Sequence, residues 1–288
     1  MTGGAAPRVL VAGHVTLDAY PGGLAPGGSA YYAGRTYLAL GAAVRVATAA
    51  GPDFPRAALD GAEVDVAPSP VTTTFENAHG PAGREQRVSA VAPALHPARL
   101  PSAWLACDLL HLAPVVGEVA LGSWLAASRA RFVGIGVQGW VRAVLRGGEV
   151  AQPAWRFSPE DLAGVEAACV GEDDLVGQGG DLVARLARAV PVVAFTRGAS
   201  GCELFAGGRT AHVGTYPARE VDPTGAGDAF SAGFFLALAG GADPVEAARL
   251  GAAAASVVVE GRAGAALDRV AREASQRASA VPVLRPLR

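Results

Sequence analysis

Short apolar runs bounded by turn residues recur along the chain, at residues 9–12, 44–47, 109–112, 132–135 and 192–195. Runs this brief and this apolar suit strands buried on both faces. Longer stretches with helical character lie between and after them, at residues 29–40, 119–128, 182–189, 226–239 and 244–259. Alternation of strand and helix predicts an α/β fold of three layers (α/β/α), a doubly wound and mostly parallel sheet with helices on both faces. Residues 62–90 break the alternation. Extended segments at 63–67, 71–76 and 84–89 are joined there by Pro-Ser-Pro and Gly-Pro-Ala-Gly turns, which predicts a small antiparallel β flap. Composition leaves open whether that flap is a lid or a surface hairpin without function. Neither an internal repeat nor a linker divides the chain, so residues 1–288 read as one domain.

Composition narrows the chemistry. Of 288 residues, 51% are hydrophobic and 17% charged, with 38 Gly and 20 Pro, which excludes a disordered or coiled-coil protein. All 24 basic residues are Arg. The absence of lysine removes a Walker-A lysine, a kinase strand lysine and any Schiff base. A net charge of -2 with scattered Arg points away from nucleic acid and membrane surfaces and toward a small-molecule partner. Cys107, Cys169 and Cys202 lie far apart in or beside apolar runs, as buried free thiols would. No charged and apolar leader opens the chain and no apolar stretch of spanning length occurs, so the expected location is cytoplasmic.

Two decoys are set aside. Residues 134–139, Gly-Ile-Gly-Val-Gln-Gly, match a dinucleotide fingerprint, but the stretch that follows is too short for the helix that fingerprint opens. The five histidines, His14, His79, His96, His111 and His212, share no metal-ligand spacing.

The most informative segment is Asp222-Pro223-Thr224-Gly225-Ala226-Gly227-Asp228, followed by an almost wholly apolar helix. Small residues let the backbone turn tightly and turn successive amides toward a ligand, and the helix adds the positive end of its dipole. That combination is an anion cradle. Asp228 stands in the first helical turn, beside the anion. It either complements the dipole or accepts the proton of an acceptor hydroxyl while the amides of residues 226–228 hold charge developing on a phosphoryl group.

At these residues the chain resembles the ribokinase or PfkB family of carbohydrate kinases, and it is nearest to the inositol kinase-like group. Asp222 to Asp228 match the family's Asp-x-x-Gly-Ala-Gly-Asp. Gly27-Gly28-Ser29 with Leu40-Gly41-Ala42 resemble its N-terminal signature, and Thr196-Arg197-Gly198-Ala199-Ser200-Gly201 are similar to its Thr-x-Gly-x-x-Gly. The resemblance implies a ribokinase-like fold with lid segments near residues 19–26 and 62–90, and an enzyme that uses ATP and Mg²⁺. It assigns Asp228 as catalytic base and Gly225, Ala226 and Gly227 as the anion hole. Asp18, Gly27, Gly28, Ser29, Tyr32 and Gln138 would meet the acceptor, although Tyr32 serves a core role equally well. Thr196, Gly198, Gly201 and Thr224 would line the nucleotide phosphates and ribose, with Ala254, Val257 and Gly261 flanking adenine. Asp174 and Glu172 are the candidates for Mg²⁺, and Asp222 for a monovalent cation such as K⁺. The chain departs from the family pattern at Tyr32, where many members carry Asn, and at Gly171, where an amide side chain is lost. The implied function is a phosphotransferase acting on a cyclitol such as myo-inositol or on a sugar. The alternatives are a nucleoside kinase and a non-catalytic sugar sensor. A monomer or homodimer is expected.

Overall fold

The computed structural model describes residues 5–80 and 83–288; Met1 to Gly4, Pro81 and Ala82 lie outside the described residues, and with them the middle of the expected Gly-Pro-Ala-Gly turn. In chain order the first half folds as β1 (Arg8–Ala12), β2 (Thr16–Tyr20), β3 (Gly23–Gly27), α1 (Ser29–Ala39), β4 (Ala43–Ala50), β5 (Glu63–Pro68), β6 (Thr73–Gly80), β7 (Gly83–Ala90), α2 (Ser102–Leu105), β8 (Leu109–Leu112), α3 (Leu121–Ala127) and β9 (Phe132–Gly136). The second half adds β10 (Ala143–Val144), β11 (Val150–Ala151), β12 (Ala167–Gly171), α4 (Leu182–Ala189), β13 (Val192–Thr196), β14 (Cys202–Ala206), β15 (Arg209–Val213), α5 (Ala226–Ala239), α6 (Pro244–Val258), α7 (Val270–Ala280) and β16 (Val283–Arg285).

The main sheet runs β5-β4-β1-β8-β9-β12-β13-β14-β15-β16. It is parallel from β5 to β13 and antiparallel beyond. β1 shows why both faces must be covered: Val9 and Val11 join the core beneath α1, α5, α6 and α7, whereas Leu10 and Ala12 join the core of α3 and α4. Strands buried on both sides need helices on both sides. From β1 the chain moves outward to β4 and β5, then returns to β8 on the other flank of β1. Such a reversal opens a crevice beyond the strands' carboxyl ends, where ligands of open α/β sheets bind.

The helices follow from local chemistry. Asp243 caps α6 by accepting the amides of Val245 (2.9 Å) and Glu246 (3.2 Å), with Pro244 at the first helical position. α5 is apolar all round because it is sandwiched between the sheet, α1 and α6. α7 has only a narrow apolar stripe of Val270 and Ala274; its Arg277 pairs with Glu260 at 2.9 Å and Glu273 at 2.6 Å. The three cysteines are buried free thiols. No described helix is long and apolar enough to cross a membrane.

The flap differs from its sequence expectation in two ways. The segment near residue 63 is β5, paired in parallel with β4 at the edge of the main sheet, so the projecting part begins at Thr73 rather than at Ala62. The projecting sheet, β3-β2-β6-β7, is also mixed, because β2 pairs with β6 in parallel.

Candidate active site

A cleft of about 640 Å³ lies at the carboxyl ends of the parallel strands, roofed by the small sheet. Pro223, Thr224, Gly225 and the start of α5 form one wall. Gly225 has φ +81°, and a Cβ there would sit 2.1 Å from the ring of Tyr32, so only glycine fits between the turn and that ring. Ala226 donates its amide to the carbonyl of Pro223 at 3.1 Å. Its N–H therefore closes the turn and does not face an anion, which corrects the expectation for that residue. The amides of Gly225, Gly227 and Asp228 find no acceptor among the described residues, and Gly227 borders open space.

Asp228 lines the cleft at the head of α5. Burial pushes its carboxyl up to about 6; the nearby Ser29 hydroxyl and the Arg142 guanidinium pull the other way, while Asp174 and Asp18 push it further up. Burial against apolar walls favours the protonated form, and a neighbouring cation or donor favours the ionised one. A carboxylate with a proton affinity near neutrality is suited to take a proton from an alcohol.

On the acceptor side, Asp18 is 4% exposed and accepts from the Thr16 hydroxyl at 2.8 Å. A Cβ on Gly27 would lie 2.3 Å from the Asp18 carboxylate. Gly27 thus makes room for Asp18, while Gly28 and Ser29 border the cleft itself. Gln138 follows β9 and lines the cleft, joined by Phe75 and Gln86 from the roof. Tyr32 also borders the cleft, yet it is 1% exposed, with its ring under Gly225 and its hydroxyl buried without a partner among the described residues, so it supports the anion turn as well.

The roof is anchored by buried polar groups that sequence reasoning did not single out. His14 donates from Nε2 to the Pro93 carbonyl (2.9 Å), which leaves Nδ1 to accept from the Thr73 hydroxyl (2.9 Å). The same Thr73 oxygen accepts the amide of Ala92 at 3.0 Å. Glu118 takes the amides of His14 (2.8 Å), Val115 (2.9 Å) and Val116 (2.9 Å), fixing the turns after β1 and β8.

On the donor side, Thr196, Gly198, Gly201 and Thr224 border the cleft, with Arg197 and Tyr216 beside them. Helix α6 also reaches it, but through Ala252, Ala255 and Ser256, with Val259 just beyond its end. Ala254 and Val257 are fully buried in the core beneath it, and Gly261 packs on Ala266, outside the cleft. The expected helix is in place; the face turned to the ligand is one position away, as a period of 3.6 residues requires. At the floor, burial drives the His111 imidazole down to about 3, so it is neutral; its Nδ1 meets the Tyr37 hydroxyl at 3.2 Å.

The residues expected to hold magnesium both border the cleft and differ in burial. Asp174 is buried at the cleft, accepts the Gly171 amide at 2.9 Å, and has its carboxyl raised by burial against the opposing pull of Arg142. Glu172 also borders the cleft, but it is exposed and pairs with Arg197 at 3.5 Å. Magnesium keeps several waters and needs only one or two carboxylates beside substrate phosphates, so Asp174 fits such a role, while Glu172 is engaged by Arg197. No group of three or more His, Cys, Asp or Glu suited to a metal occurs among the described residues. The Asp222 carboxylate is occupied by three donors of the chain itself: the amides of Thr224 (3.0 Å) and Ala263 (3.0 Å) and the phenol of Tyr20 (2.9 Å). That donor set does not fit a cation.

Comparison with known proteins agrees with this geometry. The model of the pfkB family carbohydrate kinases matches residues 166–269. The inositol 3-kinase of Zea mays is 35% identical over 184 residues, 62% of this chain and 46% of that protein. The inositol 3-kinase of Oryza sativa subsp. japonica is 34% identical over 232 residues, 73% and 56% of the respective chains. The chain thus spans about half the length of the curated relatives it matches. Among solved structures, a pyrophosphate-dependent myo-inositol-1 kinase converted by mutation into a myo-inositol-3 kinase superposes with a TM-score of 0.74 at 20% identity, covering 94% of this chain and 98% of that one. Arabidopsis thaliana ribokinase with ribose and ATP gives 0.67 at 18% identity, covering 93% and 99%. At such identities the structural likeness speaks for the ribokinase fold.

Proposed function

The chain belongs with the ribokinase-like pfkB carbohydrate kinases, and from that premise we propose that it transfers the γ-phosphoryl group of ATP to a hydroxyl of a small polyol, a cyclitol such as myo-inositol. The observation that carries this reading is Asp228: a carboxyl raised to about 6, beside unpaired backbone amides, in the same cleft as Asp18 and Ser29. Asp18 and Gln138 hold acceptor hydroxyls, and Ser29 orients the base. As the new O–P bond forms, Asp228 takes the hydroxyl proton and the bond to the leaving diphosphate breaks; the amides of Gly227 and Asp228 hold the charge that shifts between them. Magnesium, when bound, would neutralise the donor phosphates, and Asp174 is the carboxylate that would hold its waters. In a chain without lysine, Arg142 and Arg197 are the cleft's cations. The apolar surface of Ala252, Ala255 and Val259 suits a purine, and the polar side chains of Asp18, Gln86 and Gln138 on the acceptor side suit a polyol better than a nucleoside.

The test is phosphate-ester formation across a panel of cyclitols, pentoses and nucleosides, with ATP and with pyrophosphate as donors. Turnover with ATP and a cyclitol is expected. Preference for a nucleoside would replace the acceptor assignment, use of pyrophosphate alone would replace the donor, and no product from any pair would return the chain to a binding role.

A further inference from the structure

Asp222 opens the anion loop, and its surroundings differ from what a bound cation requires. A cation needs oxygen lone pairs turned toward it; here two N–H groups and one O–H point their hydrogens at the same carboxylate. The O–H belongs to Tyr20, at the far end of β2, the roof strand that also carries Asp18. The Thr224 hydroxyl lies within hydrogen-bonding reach of both Tyr20 and Asp222. One amide belongs to Ala263, a non-glycine residue at φ 51°, whose left-handed backbone turns its N–H to Asp222.

We propose that Tyr20 is a positioning residue that holds the anion loop from the roof, in the role a monovalent cation beside Asp222 would otherwise fill, so that turnover needs no potassium. Both partners keep the protonation states this bond needs. Burial is the main force pushing the Tyr20 phenol up to about 12, so it stays a donor. At Asp222 burial pushes up, yet the hydrogen bonds from Ala263, Thr224 and Tyr20 outweigh it and hold the carboxyl below its ordinary range. Near neutral pH the phenol is therefore a donor and the carboxylate an acceptor, and the bond of 2.9 Å ties the strand of Asp18 to the loop of Asp228. This inference rests on the kinase reading for its catalytic part alone.

The experiment compares the wild type with Tyr20→Phe, which keeps the ring and removes only the hydroxyl. The ligand-free protein should melt at the same temperature in potassium chloride and in tetramethylammonium chloride of equal ionic strength, and wild-type turnover should be equal in both salts. Tyr20→Phe should bind inorganic pyrophosphate, read by calorimetry, about five- to tenfold more weakly. It should raise the KM of the donor while leaving that of the acceptor unchanged. Combined with Asp222→Asn, it should lose no more than the worse single variant. A melting temperature or turnover that climbs with potassium overturns the proposal, as does pyrophosphate affinity unchanged in Tyr20→Phe. A wild type that phosphorylates nothing sinks the kinase reading, while melting and calorimetry, which need no turnover, still decide the role of Tyr20.

Discussion

The two sides of the cleft are built on opposite principles. The anion loop, Asp222 to Asp228, works through its backbone: one left-handed glycine, a few unpaired amides and a single carboxyl, all within seven consecutive residues. The roof works through side chains gathered from afar, with His14, Thr73 and Glu118 linked in one buried network that holds residues 14, 73, 92, 93, 115 and 116 together. Geometry in the loop is fixed by what is absent, a Cβ at Gly225. In the roof it is fixed by what must be present, a partner for each buried polar atom. Damage to the loop or to its tie at Tyr20 should therefore strike donor binding and the chemical step, and damage to the roof's buried network should strike acceptor binding.

The largest effect that separates the two regions is expected at the base. Asp228→Asn should lower turnover by about 10²- to 10⁴-fold while pyrophosphate binding persists. In the wild type, kcat/KM should fall as pH drops through about 6, because the protonated acid accepts nothing. The stability sign runs the other way. A carboxyl whose folded value is raised from 3.8 to about 6 binds its proton more tightly when folded, so it contributes stability at low pH that is lost as pH rises across that interval. The Asn variant should then melt no lower than the wild type at pH 8. Retained turnover would remove Asp228 from the chemistry.

Next in size is a contrast inside the loop. Gly225→Ala meets both a backbone penalty of about 1–3 kcal/mol for φ > 0 and the Tyr32 ring at 2.1 Å, so melting and turnover should both suffer. Gly227→Ala meets nothing within 4 Å, so its fold should hold while the added methyl crowds the anion. Equal melting of the two variants would mean that Tyr32 is not the turn's support.

Smaller still is the roof. Thr73→Val keeps the shape but leaves His14 Nδ1 and the Ala92 amide without their partner. A buried polar group stripped of its bond costs about 1–3 kcal/mol, which should appear as an acceptor KM raised on the order of fivefold or more with kcat near that of the wild type. A drop in kcat with KM unchanged would erase the division between the regions.

The same contrast explains what could be read in advance. Strands and helices near residues 9, 44, 109, 182 and 226 were legible because burial on both faces or on one stripe leaves a repeating apolar mark. The loop was legible because its function needs small residues in sequence, and the family model likewise matches residues 166–269, a span that holds the loop and excludes the roof. α7 left little trace, since two buried residues and an ion-pair network carry it. His14, Thr73 and Glu118 left none: each is an ordinary polar residue until the fold brings its partners within 3 Å. Ala254 and Val257 failed for a different reason. In a run of four consecutive alanines at residues 252–255, no residue type tells the cleft face of α6 from the core face, and only the rotation of the packed helix decides it.

Arg142 supplies the finest test, because it belongs to both regions. It lines the cleft and pulls down the proton affinity of both Asp228 and Asp174, yet it is carried next to the small hairpin β10–β11, which leans on the roof: the Val88 amide of β7 donates to the Gly148 carbonyl at 2.7 Å. If roof and loop are independent, removing this charge should leave the acid limb of the pH profile in place. If the roof side helps set the base, Arg142→Gln should move that limb to higher pH, since the ionised carboxylate loses a stabilising cation. A displacement upward, expected to stay below about one unit, is the outcome the geometry favours, measured on kcat/KM for the acceptor with donor saturating. The size of that displacement then measures how far closure of the roof can tune the base.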